Sequence, residues 1–441
     1  MPAEAGSTRR RRVVIVGGGF GGLTAARELR RADVDVTLVD PKSHHLFQPL
    51  LYQLACGGLS TGECATPIRA AVKRSSNTTV LMAKATGLDV ENRQVILDRG
   101  ERLDYDSLIM ACGAKTSYFG KDEWSEVSFG LKTLTDAVDL RNRIYGAFEE
   151  AERTDDPEER KKWLTFAVIG GGPTGVELAG ELAIIATHTM KGYFTRMHPA
   201  EVQIILLDAG ERVTAAFSEK QSARVARYLA ELGVAVREGA RVTSIDEQGV
   251  TVQVDEAEER INAGTVVWAA GVQAVSFAAT VAEATGASTD RAGRIQIQPD
   301  LTVPGHPEIS AIGDATQVPG PGDRPLPGLA TVAIQQARHV AGAIRSGSPG
   351  ATKPFRYFDK GALAVVGRGK AVCEIRGHQL SGRLAFFTYL TVHMYYLSGG
   401  GPGHRVKVLI DWISTRVGDP QNQVIDADLA GIESLRRGAP S

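Results

Sequence analysis

Residues Val13–Ala26 read VVIVGGGFGGLTAA, an apolar run that breaks into glycines and continues with the character of a helix. Residues Phe166–Glu181, FAVIGGGPTGVELAGE, repeat the pattern about 150 residues later. Both stretches carry G-x-G-x-x-G, formed by Gly17, Gly19 and Gly22 and by Gly170, Gly172 and Gly175. This spacing permits a tight turn, close approach to a pyrophosphate and close packing of the following helix. The chain therefore has two candidate phosphate-binding loops.

An acidic residue ends the apolar run that follows each loop. Asp40 closes VTLVD, and Asp208 closes VQIILLD. A carboxylate at this place accepts hydrogen bonds from a ribose 2′-hydroxyl and would repel the additional phosphate of NADPH. We therefore expect two adenine dinucleotides. One loop would hold a tightly bound redox cofactor, and the other would hold the NADH that reduces it.

The repeat extends beyond the loops. YDSLIMACGA (Tyr105–Ala114) is matched at nearly the same offset by GTVVWAAGVQA (Gly264–Ala274). Strand-like and helix-like segments alternate in both halves, which predicts an α/β fold with two doubly wound, Rossmann-like parallel sheets. A third segment, ISAIGDATQV (Ile309–Val318), has no counterpart in the second half. We interpret it as the chain returning to complete a discontinuous first domain.

Composition excludes several classes of function. The chain has 50 basic and 51 acidic residues, which argues against nucleic acid as a partner. Its four cysteines form no CxxC pair, so we expect a reducing, cytoplasmic setting and no redox dithiol or cysteine zinc site. His44 and His45 are adjacent and lack a carboxylate or thiol at ligand spacing, so we predict no metal site.

Several stretches together resemble the type II NADH:quinone oxidoreductases, two-Rossmann flavoenzymes of the pyridine-nucleotide-disulfide reductase superfamily. The glycine loops are common to the superfamily, whereas HHLFQPLLYQ, YFDKG and the C-terminal helix pair are closer to this one family. The resemblance runs from about Arg12 to Val417. It implies FAD on the first loop, NADH on the second, and transfer of two electrons to a membrane quinone without proton pumping.

The resemblance also implies roles for individual residues. The FAD site would be formed by Gly17, Gly19, Gly22, Asp40, Ala85, Ala111, Gly113 and Asp314, with Asp314 holding the ribityl chain. The NADH site would be formed by Gly170, Gly172, Gly175 and Asp208. Glu177 would lie near the nicotinamide–flavin stack, and Gln335 and Lys360 would face the quinone. Where relatives carry A-Q-x-x-x-Q this chain has ATVAIQ, so Thr331 is expected to weaken quinone binding.

The predicted domains follow from these assignments. Residues 12–119 and 296–350 would form the FAD-binding domain and residues 120–295 the NADH-binding domain. Residues 351–428 would form strands and an amphipathic helix pair that contacts the membrane, and 429–441 a flexible tail. The protein would then be cytoplasmic and peripheral on the inner face of the cell membrane.

Alternatives stay open at this level. Glu177 also suits a structural glutamate in the first turn of a helix, and Lys360 a solvated lysine at a strand end. The helix pair also suits packing on the body of the protein or in a homodimer. The competing functions are a soluble NADH-dependent flavin reductase with a non-quinone acceptor and a flavoprotein switch that senses NADH.

Overall fold

The computed structural model describes residues 9–190, 192–320, 325–348, 353–397 and 401–417, with backbone only at 189, 402 and 413–417. The described chain separates into two compact units. The first takes the described parts of Met1–His45, Thr66–Lys115 and Val272–Phe358. The second takes those of Leu46–Ala65, Thr116–Gly271 and Asp359–Ser441. The tail predicted over 429–441 lies outside the described residues.

The strands are numbered in chain order. They are β1 Arg11–Val16, β2 Val34–Asp40, β3 His44–Leu46, β4 Ala65–Pro67, β5 Thr78–Met82, β6 Ala85–Asp89, β7 Gln94–Leu97, β8 Arg102–Asp104, β9 Ser107–Met110, β10 Ala114–Thr116, β11 Phe129–Gly130, β12 Thr165–Ile169, β13 Gln203–Leu207, β14 Val234–Arg237, β15 Arg241–Asp246, β16 Gly249–Val254, β17 Ala257–Asn262, β18 Thr265–Trp268, β19 Val272–Ala274, β20 Ile295–Gln296, β21 Thr302–Val303, β22 His306–Ala311, β23 Thr316–Gln317, β24 Ala362–Val365, β25 Ala371–Ile375 and β26 His378–Ser381.

The helices are numbered in the same way. They are α1 Phe20–Glu28, α2 Leu51–Ala55, α3 Thr61–Cys64, α4 Ile68–Ala71, α5 Leu134–Arg153, α6 Pro157–Trp163, α7 Pro173–Ile184, α8 Glu219–Glu231, α9 Ser276–Thr285, α10 Ala330–Arg345, α11 Gly382–Tyr396 and α12 Gly401–Val417. Both α1 and α7 begin directly at their glycine loops.

The first unit is built on a six-stranded sheet in the order β21-β22-β9-β1-β2-β5. β1 lies at its centre and runs parallel to both β9 and β2, as its buried, β-branched sequence predicts. β22, from the returning segment Ile309–Val318, pairs in parallel with β9. The sheet is therefore completed by a distant part of the chain, as the unmatched IGDA segment predicts.

The second unit repeats this arrangement in the five-stranded order β11-β18-β12-β13-β14, in which every pairing is parallel. β12 takes the central place that β1 has in the first sheet, and β18 takes the place of β9. The antiparallel sheets β15-β16-β17 and β24-β25-β26 belong to the same unit. The predicted α/β class with two Rossmann-like sheets is confirmed.

The two compact units divide the chain differently from the predicted domains at several places, and α9 and α2 are the clearest cases. α9, predicted within the NADH domain, contributes Phe277, Ala278 and Val281 to the apolar core of the first unit. α2, predicted within the FAD domain, packs against α5 and α7 in the second unit. These packing partners are not visible in local sequence patterns. The domain boundaries stay a prediction.

The C-terminal helices are built into the second unit on one side. Ala385, Phe386 and Tyr389 of α11 pack against the sheet β24-β25-β26. Trp412 of α12 is buried and donates from Nε1 to Oε1 of Gln53 at 2.7 Å. In the described part of the region that begins at Ala351, strands β24–β26 and the two predicted helices are present, and one face of each helix is buried.

Candidate active site

The first glycine loop has two positions at which no side chain fits. Gly17 has φ +111°, and a Cβ there would overlap the carbonyl oxygen of Ala111. A Cβ on Gly22 would overlap the carbonyl oxygen of Gly17. Ala111 in turn donates its backbone N–H to Val16 at 2.8 Å. The end of β9 and the start of α1 therefore enclose the turn, and the role of Ala111 toward FAD stays a prediction.

Gly19 behaves differently, because a Cβ there would meet nothing within 4 Å. It is the N-cap of α1, and no side chain caps that helix or places a carboxylate in its first turn. The chain does cap other helices in this way, for example α5 through Thr133. An uncapped helix N-terminus beside open space offers N–H groups and a positive dipole end to a pyrophosphate. The loop therefore fits a dinucleotide.

Asp40 holds the shape of this loop. Its carboxylate accepts hydrogen bonds from the backbone N–H of Gly18 at 2.6 Å and of Lys42 at 2.7 Å. His45 contacts the carbonyl oxygen of Gly18 through Nδ1 at 3.1 Å, and burial lowers the pKa of His45 to about 4. The neutral ring therefore donates to that carbonyl. Each Asp40 oxygen keeps a second lone pair for a ribose hydroxyl.

The second loop reproduces these features. Gly170 also has φ +111°, and its Cβ would lie 2.8 Å from the carbonyl carbon of Ala269. A Cβ on Gly175 would overlap the Gly170 carbonyl oxygen, whereas one on Gly172 would meet nothing within 4 Å. α7 starts after Gly172 with no side-chain cap and no acidic residue in its first turn. The second loop fits a dinucleotide for the same physical reasons.

Asp208 occupies the place that Asp40 has in the first site. Its carboxylate accepts from the backbone N–H of Gly171 at 2.5 Å and of Gly210 at 2.7 Å. Thr214 adds a second support, since its N–H donates to the Gly171 carbonyl at 2.7 Å. Thr214 does so with φ +51°, a rare conformation for a β-branched residue. Strain of this kind clusters at ligand sites.

Three further residues are expected at the FAD site. Ala85 begins β6, and Gly113 has φ +71° beyond the end of β9. Asp314 lies in a 3₁₀ turn, Gly313–Ala315, whose first N–H donates to Oε1 of the buried Gln336 at 2.7 Å. This bond ties the IGDA turn to α10. The assignment of the three residues to FAD stays a prediction.

Glu177 is a buried carboxyl group in α7. Its side chain is 8% exposed, and its Oε1 accepts from the backbone N–H of Val365 at 3.3 Å. Burial raises the pKa of Glu177 to about 8, although the hydrogen bond from Val365 acts in the opposite direction. Glu177 therefore carries a proton at neutral pH. α7 has no acidic residue in its first turn, so the alternative of a first-turn glutamate favoured by the helix dipole does not describe Glu177.

The residues expected to face the quinone have partners within their own units. The Gln335 amide donates to the backbone oxygen of Phe358 and accepts from its N–H, both at 3.0 Å. Thr331, one turn earlier on α10, lies 3.1 Å from the hydroxyl of Tyr357. In the second unit, Lys360 places its ammonium 5.6 Å from the centroid of the Tyr396 ring. Their assignment to quinone stays a prediction.

The described residues contain neither a side-chain cluster suited to a metal ion nor a helix suited to spanning a membrane. No group of three or more His, Cys, Asp or Glu side chains in that part of the chain could hold a metal ion. Within the same ranges, no helix combines the length and apolar character needed to cross a membrane.

Comparison with known proteins identifies the family. A model of the pyridine nucleotide-disulphide oxidoreductases matches residues 11–337. The chain is 43% identical over 428 residues to the type II NADH:quinone oxidoreductase Ndh of Mycobacterium tuberculosis, covering 95% of this chain and 91% of that protein. It is 42% identical to NdhA of the same organism, covering 92% and 87%. The chain belongs to the type II NADH:quinone oxidoreductases.

A solved structure agrees with the fold of this type II NADH:quinone oxidoreductase. NDH2 from Plasmodium falciparum in complex with NADH superimposes with a TM-score of 0.83 at 21% identity, covering 92% of this chain and 98% of that one. The resemblance stated from sequence is thus confirmed.

The sequence analysis did not identify the residues that only hold the shape of the glycine loops. Ala269 packs on the second glycine loop as Ala111 packs on the first. The match between Tyr105–Ala114 and Gly264–Ala274 could have indicated this contact from the sequence. No pattern indicated the strained Thr214 or the hydrogen bond from His45 to Gly18.

Proposed function

We propose that this protein oxidises NADH through a bound FAD and passes two electrons to a membrane quinone. One observation carries the proposal: two helices, α1 and α7, begin at open glycine positions without any side-chain cap, each beside an aspartate that orders the loop. The relatives that share 42–43% identity bear the name of this activity.

When bound, FAD would supply the redox chemistry that links two-electron oxidation of NADH to two-electron reduction of the quinone. The chain itself would bind and orient. Asp40 and Asp208 would hold the adenosine riboses, and the N-termini of α1 and α7 would hold the pyrophosphates. The N-terminus of α10 lies beside Asp314, since a Cβ on Gly328, two residues before the helix, would lie 3.2 Å from Oδ1 of Asp314. The dipole of α10 would favour negative charge on the flavin there. No side-chain acid or base is required for hydride transfer.

Steady-state oxidation of NADH with menaquinone and ubiquinone analogues, in the presence and absence of lipid, tests this function. The purified protein should be yellow and should bleach with NADH. A colourless protein that fails to bind FAD would refute the proposal. A yellow protein that reduces dyes but no quinone would favour the soluble reductase, and one that binds NADH without turnover would favour the sensor.

Replacement of Asp208 by asparagine is expected to raise the KM for NADH about tenfold, because hydrogen bonds to a charged group contribute about 1.5–3 kcal/mol. It should also raise the ratio of NADPH to NADH activity, since the repelling charge is removed. FAD content should be unchanged, because Asp40 serves the other loop. The matched change Asp40→Asn should instead lower FAD content. Equal effects of both variants on FAD would contradict the assignment of the two loops.

On the acceptor side, we propose that Thr331 and Tyr357 together take the place of the first glutamine in the A-Q-x-x-x-Q pattern. Their hydroxyl groups lie 3.1 Å apart, so two neighbouring hydroxyl groups stand where those relatives have an amide. Both ends of the Gln335 amide are hydrogen-bonded to the backbone of Phe358. Gln335 would therefore position this segment rather than bind the quinone directly. Lys360 would add positive charge near that segment.

We further propose that α11 and α12 attach the protein to the inner face of the cell membrane. Each helix has a second apolar face that stays exposed, opposite the buried one. The exposed apolar residues are Leu384, Phe387 and Tyr395 on α11 and Val406, Leu409 and Ile410 on α12. One cation of α12 is already used within the unit, since Lys407 pairs with the buried Glu63 of α3. Attachment would therefore depend mainly on the apolar face and less on basic residues.

The double substitution Phe387→Glu and Ile410→Glu tests this attachment. Burial of each side chain contributes about 1.5–3 kcal/mol, so co-sedimentation with lipid vesicles should fall more than tenfold. The melting temperature should hardly change, because both side chains are exposed. Tyr193→Glu, at an exposed aromatic residue outside α11 and α12, is the matched control and should leave vesicle binding intact.

Unaltered vesicle binding by the double variant would refute the attachment. If the wild-type protein forms dimers in solution that the double variant lacks, these faces form a homodimer instead. Point substitutions are preferable to truncation before α11, because Phe386 and Tyr389 belong to the core of the unit.

A further inference from the structure

Phe119 has the most exposed large hydrophobic side chain in the described chain, at 71%. It lies in the second unit, just before the short helical turn that contains Trp124. Its ring meets the ring of Trp268 edge-on, with 6.1 Å between centroids, and Tyr118 and Trp124 pack against the same indole. Trp268 itself is buried and donates to the backbone oxygen of Ser117 at 2.8 Å. An aromatic cluster thus presents one uncovered ring to solvent.

The backbone holds this ring in place at a conformational cost. Phe119 has φ +52°, a left-handed conformation that few non-glycine residues adopt, and the next residue, Gly120, has φ +86°. Gly271 makes room for the ring, because a Cβ there would overlap it. Gly271 also accepts a hydrogen bond from the N–H of Ser117 at 3.4 Å. The chain is therefore shaped on both sides to place an apolar ring at the surface.

The place of Phe119 in the fold indicates what the ring contacts. Gly271 follows β18, and the intervening Ala269 and Ala270 pack on Gly170 of the second loop. After β12 the chain continues to β13 on one side, whereas β18 lies on the other. The crevice at the carboxyl ends of β12 and β18 is therefore the switch point of this sheet, where dinucleotides bind.

The direction of the dinucleotide follows from Asp208. Asp208 ends β13 and would hold the adenosine ribose, and the pyrophosphate would lie at the loop after β12. The other half of the dinucleotide must then extend over the end of β18. Phe119 stands at that end.

We propose that the ring of Phe119 contacts the nicotinamide half of NADH and helps to fix its orientation. The inference rests on the proposed binding of NADH to the second loop and adds a residue that the glycine motif does not include. An aromatic ring suits this contact, because it packs against a flat heterocycle without competing for the hydrogen bonds of the carboxamide.

Calorimetric titration of the FAD-loaded protein with NAD⁺ and with ADP-ribose tests the contact, since ADP-ribose lacks the nicotinamide. Phe119→Asn removes the ring and keeps a residue type that tolerates positive φ. The Kd for NAD⁺ should rise about fivefold, while the Kd for ADP-ribose changes less than about twofold. Phe119→Tyr should retain wild-type affinity for both ligands. Tyr193→Ala, at an exposed aromatic residue elsewhere in the unit, is the control and should change neither.

Equal weakening of NAD⁺ and ADP-ribose by Phe119→Asn, or no weakening of either, would overturn this inference. Failure of the wild-type protein to bind ADP-ribose would overturn the proposed NADH site itself, so the two failures are distinguishable.

Discussion

Replacement of Gly172 by alanine should leave the protein folded and yellow but raise its KM for NADH more than tenfold. Gly172 has φ −70° and ψ 176°, which alanine adopts without strain, and its Cβ would meet no protein atom within 4 Å. The methyl group would instead occupy the space beside the uncapped N-terminus of α7, where the pyrophosphate must approach. Loss of this close approach would cost several kcal/mol of binding free energy when the ligand cannot shift. A loss of about 1.4 kcal/mol already weakens binding tenfold.

The prediction is checked by steady-state kinetics, FAD content and melting temperature of the same preparation. Gly19→Ala is the mirror experiment and should give a colourless protein, because the same space lies at the first loop. Gly175→Ala is the contrasting control, because its Cβ would overlap the Gly170 carbonyl oxygen and should destabilise the fold itself. A Gly172→Ala protein with wild-type KM would show that NADH binds elsewhere.

Replacement of Glu177 by glutamine should stabilise the protein increasingly as pH rises from 5 to 8. Burial raises the pKa of Glu177 to about 8 in the folded protein, from 4.5 in the unfolded chain. Between these values the unfolded chain loses the proton while the folded protein keeps it. The free energy of unfolding of the wild type therefore falls with rising pH, by up to about 1.4 kcal/mol per unit. Glutamine has no proton to lose and escapes this decline.

Denaturant unfolding of both proteins at pH 5, 6.5 and 8.5 measures the difference, which should grow to a few kcal/mol and level off above pH 8. Glu152→Gln is a control of opposite sign. The Glu152 carboxylate accepts hydrogen bonds from the backbone N–H groups of residues 195–197 and from the Thr195 hydroxyl. Desolvation alone would raise the pKa of Glu152, but these hydrogen bonds outweigh it and lower the pKa to about 2. That variant should lose stability by a constant amount over the same range. A pH-independent effect of Glu177→Gln would refute the buried, protonated state.

The sequence was sufficient to predict the two Rossmann-like sheets, because each strand that carries a glycine loop is short, apolar and followed at once by a helix. Gly22 and Gly175 must be glycine because a side chain would overlap a backbone oxygen five residues earlier. Such short-range constraints appear as a pattern in the sequence. The same holds for Asp40 and Asp208, whose place at a strand end is fixed by strand length.

Packing between distant segments could not be predicted in this way. The contact of Gln335 with the Phe358 backbone, the burial of Glu177 against Val365 and the pairing of Glu63 with Lys407 each join segments that no local pattern connects. The positive φ of Phe119 and Thr214 is also set by neighbours far along the chain. Contacts and conformations of this kind are visible only in the structure.

The pairing of β22 with β9 has a consequence for synthesis on the ribosome. Residues His306–Ala311 are made about 200 residues after Ser107–Met110, a delay of roughly 10–40 s at typical translation rates. Throughout that interval the buried strand β9 is an open edge, a recognised hazard for aggregation. The sheet β11-β18-β12-β13-β14 has all its strands by Trp268 and can form sooner. We therefore expect the nascent chain to fold its second sheet first, and to become able to take up flavin only after β22 and Asp314 have emerged.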